Sequence, residues 1–156
     1  MSFTNLMTIA LDSILMEVTC NGKCKPAVVE LGNQRLKNNK SRAKMYNKLQ
    51  TTGTLGLSTT KEFFLDIGFR SYLAIDVNTE MDAVALDLNM DLEKHYGFKD
   101  KFDLVTNNGT GEHVFNQYMV FKNVHNLCQV KGFMIHILPF YLSLIHISEP
   151  TRRYAI

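Results

Sequence analysis

Residues 27–33 read Ala, Val, Val, Glu, Leu, Gly, Asn: an apolar run with an acid near its end and a glycine straight after it. A short, almost unbroken apolar run is the pattern of a strand covered on both faces, as strands of parallel sheets are. The glycine lets the following loop pass close to a ligand, because no Cβ stands in the way. Two later runs repeat the design. Residues 72–78 (Tyr, Leu, Ala, Ile, Asp, Val, Asn) end in an acid and an amide, and residues 102–109 (Phe, Asp, Leu, Val, Thr, Asn, Asn, Gly) end in polar residues and glycine. Three such strands with helical stretches between them predict an α/β fold, a doubly wound and mainly parallel sheet with helices on both faces. Its ligand crevice should run along the carboxyl edge.

The remaining segments fit around those strands. Met7, Leu11, Ile14, Leu15 and Val18 form a helical stripe before a Gly- and Pro-punctuated turn. Residues 34–58 form an insertion longer than a crossover needs: six basic residues and no acid between Arg35 and Lys48, then a Thr- and Gly-rich loop. Thr59, Thr60, Lys61 and Glu62 have the form of a capping box ahead of Phe63, Phe64 and Ile67, with Gly68 as the stop. Residues 83–88 read as a short third strand and 92–96 as a helical turn ended by Gly97. Val114, Tyr118, Phe121, Val124 and Cys128 mark a buried helical face ending near Lys131, and residues 132–139 are the fifth strand.

A length of 156 residues suits one domain, assigned to residues 1–141. Residues 142–152 are what a sequencing-adapter string encodes in one reading frame, so 142–156 is read as an artefactual tail and the domain as truncated after strand five. Net charge is +2, with no field that calls for nucleic acid. The basic segment, with only Tyr46 as an aromatic, reads as a solvated helix face or an attractor of an anionic acceptor. Three cysteines and no secretory apolar region point to a cytoplasmic chain, and no apolar run suggests a membrane partner. Cys20 and Cys24 lack a second pair, so no metal is expected.

The order and spacing of Glu30-Leu31-Gly32, Ile75-Asp76, Leu86-Asp87-Leu88, Phe102-Asp103-Leu104-Val105 and residues 132–139 resemble the Rossmann-like class I S-adenosylmethionine-dependent methyltransferases, over roughly residues 28–140. The resemblance implies S-adenosylmethionine as cofactor and methyl transfer to a small-molecule acceptor. It implies Glu30, Gly32 and Asn33 at the donor's methionine end, Asp76 and Val77 at the ribose, Asp87 and Leu88 at the adenine, and Asn107 beside the donor. One departure is that Asn33, Gln34 and Arg35 follow Gly32, where the family often has further glycines.

Each residue also has a plainer reading. Asp76 and Asp87 could be solvated turn carboxylates, and Glu30, inside an apolar strand, could be paired with a Lys or Arg of the insertion. His113 and Asn107 are the candidate catalytic residues, in the dense polar stretch that opens strand four toward the crevice. A base such as His113 is needed only if the acceptor must lose a proton. Glu112 fits helix capping equally well, and His136 fits a satisfied core histidine. The rivals to methyl transfer are an NAD(P)-binding oxidoreductase, whose Gly-x-Gly-x-x-Gly turn this sequence lacks, and a fragment that binds nucleotide without catalysis.

Overall fold

The computed structural model describes residues 11, 14, 25–35, 43, 46–47 and 59–138. Five parallel strands form one sheet: β1 (Ala27–Leu31), β2 (Ser71–Asp76), β3 (Val84–Ala85), β4 (Phe102–Asn108) and β5 (Cys128–Ile137). Their order is β3-β2-β1-β4-β5. The chain therefore winds outward in one direction from β1 through β2 to β3, then returns to the other side of β1 for β4 and β5. The reversal lies between β1 and β4, where an open parallel sheet leaves a crevice at its carboxyl edge. This is the expected Rossmann-like α/β arrangement.

Alternation along β1 divides the interior. Val28 faces a cluster built from Phe63, Phe64, Ile67 and Phe69, with the helical residues Leu11, Ile14 and Tyr46. Val29 and Leu31 face a second cluster of Ile75, Leu86, Leu88, Leu92, Val105, Val120, Val124 and Leu127. All five β1 residues are buried, which is why this strand carries no polar alternation. Helix α1 (Thr60–Asp66) covers the first face, while α2 (Leu92–Tyr96) and α3 (Gln117–Leu127) cover the second.

The capping box is formed as predicted. Thr59 Oγ1 accepts from the Glu62 amide at 3.2 Å, and Glu62 Oε2 accepts from the Thr59 amide at 3.0 Å. Arg35 and Thr59 form an antiparallel β-bridge, which ties the loop after β1 to the start of α1. Replacing Thr59 with alanine is expected to cost about 1 kcal/mol, read as an earlier urea midpoint with an unchanged slope. No loss would show that α1 is held by its aromatic packing alone.

Four expectations change. The third strand is two residues long, because the chain turns away from β2 after Ala85. The buried stripe of α3 is Val120, Asn123, Val124 and Leu127, whereas Tyr118 and Phe121 face outward at 73% and 46% exposure. The helix stops at Leu127 and β5 begins at once, with a register irregularity against β4. Finally, His136 is exposed rather than in the core, on a strand that forms the sheet edge among the described residues. The expected first helix lies outside the described residues apart from Leu11 and Ile14, and the basic helix apart from Ala43, Tyr46 and Asn47. The Cys20–Cys24 pair and the 142–156 tail lie wholly outside them.

Candidate functional site

A cavity of about 320 Å³ opens at the carboxyl ends of β2, β3 and β4, at the lower end of the roughly 300–1,000 Å³ of small-molecule sites. Ile75, Val77, Leu86, Leu88 and Val114 give it apolar walls, and Asp76, Asp87 and Asn89 give it polar groups. Gly109, Thr110 and His113, from the turn that follows β4, close the opposite side.

Asp76 ends β2 and is fixed from both sides. Its Oδ2 accepts from the Asn33 amide at 3.0 Å and its Oδ1 from the Asn78 amide at 3.1 Å. A carboxylate oxygen has capacity beyond one such bond, so the carboxylate is oriented while keeping acceptor sites for a ligand. Asp87 is held by a local turn: its Oδ1 accepts from the Asn89 backbone amide at 2.9 Å and from Asn89 Nδ2 at 2.8 Å. Those two bonds hold its carboxyl below the usual range, the backbone bond contributing most. Behind this wall the buried amide of Asn123 donates to the carbonyls of Met90 at 2.8 Å and Leu88 at 3.3 Å and accepts from the Leu92 amide at 3.1 Å. Helix α3 thereby fixes the segment that carries Leu88.

The structure thus gathers Asp76, Val77, Asp87, Leu88 and His113 around one cavity. Gly32, Asn33, Glu30 and Asn107 are not among its lining residues. Asn33 acts on it through Asp76, and its Nδ2 also ties Asn78 Oδ1 to the Glu80 carbonyl, each at 2.7 Å. Gly32 has φ +84° and donates to the Ile75 carbonyl at 2.7 Å, so the loop after β1 is pinned to β2.

Glu30 differs most from its expected place. Alternation sends it to the face opposite Leu31, where it is fully buried. Its Oε2 accepts from Thr60 Oγ1 at 2.5 Å and from the Tyr72 hydroxyl at 2.6 Å, so its partners are two hydroxyls and not the Lys or Arg of the plainer reading. Burial raises its pKa from an ordinary 4.5 to about 7 against the lowering effect of those bonds. Burial and the charge of Glu30 in turn push the Tyr72 phenol up, which keeps it a donor.

Asn107 is also withdrawn from the expected site. Fully buried, it accepts from the Gly111 amide at 2.8 Å through Oδ1, and its Nδ2 lies 3.2 Å from His136 Nδ1. Its amide is thereby used in shaping the turn after β4. The His136 ring lies against Phe121, with centroids 4.9 Å apart, and this partial burial holds it below the usual imidazole range. His113 lines the cavity with its side chain exposed, its Nε2 3.5 Å from Glu112 Oε1.

Sequence reading missed Thr60 and Tyr72 as partners of Glu30, Asn89 as the brace of Asp87, and Thr110 on the cavity wall. The Asp-x-Asn spacing of 87 and 89 signals an Asx turn. Thr60 and Tyr72 carried no local signal, because they meet Glu30 only through the sheet.

Among solved structures the chain is similar to the trans-methyltransferase CalH in complex with SAH, at 17% identity and a TM-score of 0.50, over 91% of this chain and 42% of that one. The likeness is one of fold, and the chain spans less than half the length of that protein. No protein-family model and no curated protein matches the chain.

Proposed function

We propose that the cavity holds the adenosine part of S-adenosylmethionine and that the chain serves methyl transfer from this donor to a small acceptor. The observation that carries the reading is Asp76. It is a carboxylate at the carboxyl end of β2, oriented by two backbone amides, on the rim of an apolar cavity that has a second held carboxylate, Asp87, on its other wall. A vicinal diol asks for such an acceptor pair, and an exocyclic amine beside an apolar ring asks for Asp87 with Leu86 and Leu88 around it. The similarity of fold to CalH, whose complex holds SAH, supports a ligand of this kind.

When bound, the donor supplies a sulfonium methyl for displacement by an acceptor lone pair, with the carbon–sulfur electron pair returning to sulfur. The residues of this chain have mainly to place the reactants, since displacement on carbon gains most from alignment. Asp76 and Asp87 orient the nucleoside, and the apolar walls exclude water from its base. His113, exposed at the mouth, is the group able to take a proton from an acceptor hydroxyl or amine.

A dinucleotide fits less well. It needs free amides at a helix start to receive its pyrophosphate. The next helix whose start is described after β1 is α1, and that start is closed by Thr59 and by the carboxylate of Glu62. Titration calorimetry with S-adenosylhomocysteine and with NADH separates the two readings. Heat of binding is expected with the first alone; binding of NADH without S-adenosylhomocysteine would contradict the proposal.

A further inference from the structure

The turn after β4 puts one side chain where a longer ligand would have to pass. Gly32, at the end of β1, and Thr110, after β4, face one another across the point where the strand order reverses. A Cβ built on Gly32 would lie 2.1 Å from Thr110 Oγ1, 3.2 Å from its Cβ and 3.4 Å from its Cγ2. Thr110 therefore rests directly on the Gly32 backbone, and the cavity that Thr110 lines stops short of Gly32.

That contact bears on ligand length. A nucleoside with its base at Asp87 and Leu88 and its ribose at Asp76 runs from β3 toward β2. Its 5′ substituent then points on toward β1 and β4, at Gly32 and Thr110. The backbone of the turn is anchored: the Gly109 amide donates to the Ile137 carbonyl at 3.0 Å and the Gly111 amide to Asn107 Oδ1 at 2.8 Å. Gln117 Nε2 adds a bond to the Gly111 carbonyl at 2.7 Å. What is left to move is χ1 of Thr110, and rotation exchanges one branch for the other, because threonine carries two heavy atoms on Cβ.

Resting on the functional reading above, we propose that Thr110 is a plug at the amino-acid end of the donor: adenosine binds with Thr110 in place, whereas S-adenosylmethionine and S-adenosylhomocysteine must displace it. Thr110 thus determines how much the 5′ tail adds to binding. The nucleoside end depends on it less, since Asp76 and Asp87 are held by the amides of Asn33, Asn78 and Asn89.

The test is calorimetry of adenosine and S-adenosylhomocysteine against the native chain, Thr110→Ser and Thr110→Ala. Removing the branch and then the hydroxyl should tighten S-adenosylhomocysteine stepwise, to about tenfold in Thr110→Ala, the cost of holding a side chain out of its well. Adenosine, which meets Thr110 only as one residue of the cavity wall, should change in affinity by clearly less than S-adenosylhomocysteine at each step, and its continued binding shows that each variant retains a formed site. Equal changes for both ligands, or none for either, overturn the proposal. Native binding of S-adenosylhomocysteine without measurable adenosine binding overturns it while upholding the methyl-donor reading. Binding of neither ligand by any variant overturns both.

Discussion

Raising the pH from 5 to 8 is expected to cost the native fold about 2.5 kcal/mol through Glu30 alone. The carboxyl is fully buried and its pKa stands near 7 in the folded chain against an ordinary 4.5. Between those values the folded state holds a proton that the unfolded chain has released, so stability falls as pH rises. The contribution is complete below 4.5, declines through the interval and is gone above 7. Burial is the cause, and the hydroxyls of Thr60 and Tyr72 offset only part of it, since both donate to Oε2 while Oε1 has no hydrogen-bond partner. Glu30→Gln is neutral at every pH and should lack this slope. Urea unfolding of both chains at pH 5 and pH 8 should show the variant gaining about 2.5 kcal/mol relative to the native chain between the two conditions. Parallel profiles would mean that Glu30 is ionised and solvated in the folded protein.

Asp76→Ala is expected to weaken nucleoside binding about a hundredfold, the loss of two hydrogen bonds to a charged acceptor. The substitution removes the acceptor and also leaves the Asn33 and Asn78 amides without their partner, so both exit loops lose their tie to the ribose position. Asp76→Asn keeps one oxygen and should retain an intermediate affinity. Folding should change little by comparison, because Asp76 belongs to neither buried cluster and its loops are open to solvent. A hundredfold loss with an unchanged urea midpoint separates this role from a structural one.

The residues that made the fold legible are those whose local pattern agrees with their place in the whole. Strands β1 and β4 are largely buried runs, β2 is buried at Ala74 and Ile75, and the Thr59–Glu62 capping box is a four-residue signal complete in itself. Asp76 and Asp87 were legible for a related reason, as acids at or just beyond strand ends in a sheet whose order the spacing implied. What sequence did not reveal is which face of the sheet holds the cavity. Alternation requires Glu30 and Leu31 to point apart, and only the assembled helices show that Glu30 points into the aromatic cluster around Phe64. The face of α3 was misread because aromatic residues draw the eye: Tyr118 and Phe121 face outward, while the stripe that packs includes Asn123. A buried asparagine is invisible to a hydrophobic pattern, and its value lies in the three bonds that fix residues 88–92. Asn107 was read as a site residue where β4 opens toward the crevice, and it stands near the end of that strand. Its amide is consumed by Gly111 and His136, and Thr110 faces the cavity in its stead.

The central claim is that a nucleoside lies across the strand ends with its ribose diol on Asp76. A thermodynamic cycle addresses it most directly: adenosine and 2′,3′-dideoxyadenosine titrated against the native chain and Asp76→Ala. If the carboxylate receives the diol, removing either partner costs nearly the whole interaction, and removing both costs little more than removing one. Losses that simply add would place the diol elsewhere and contradict the account.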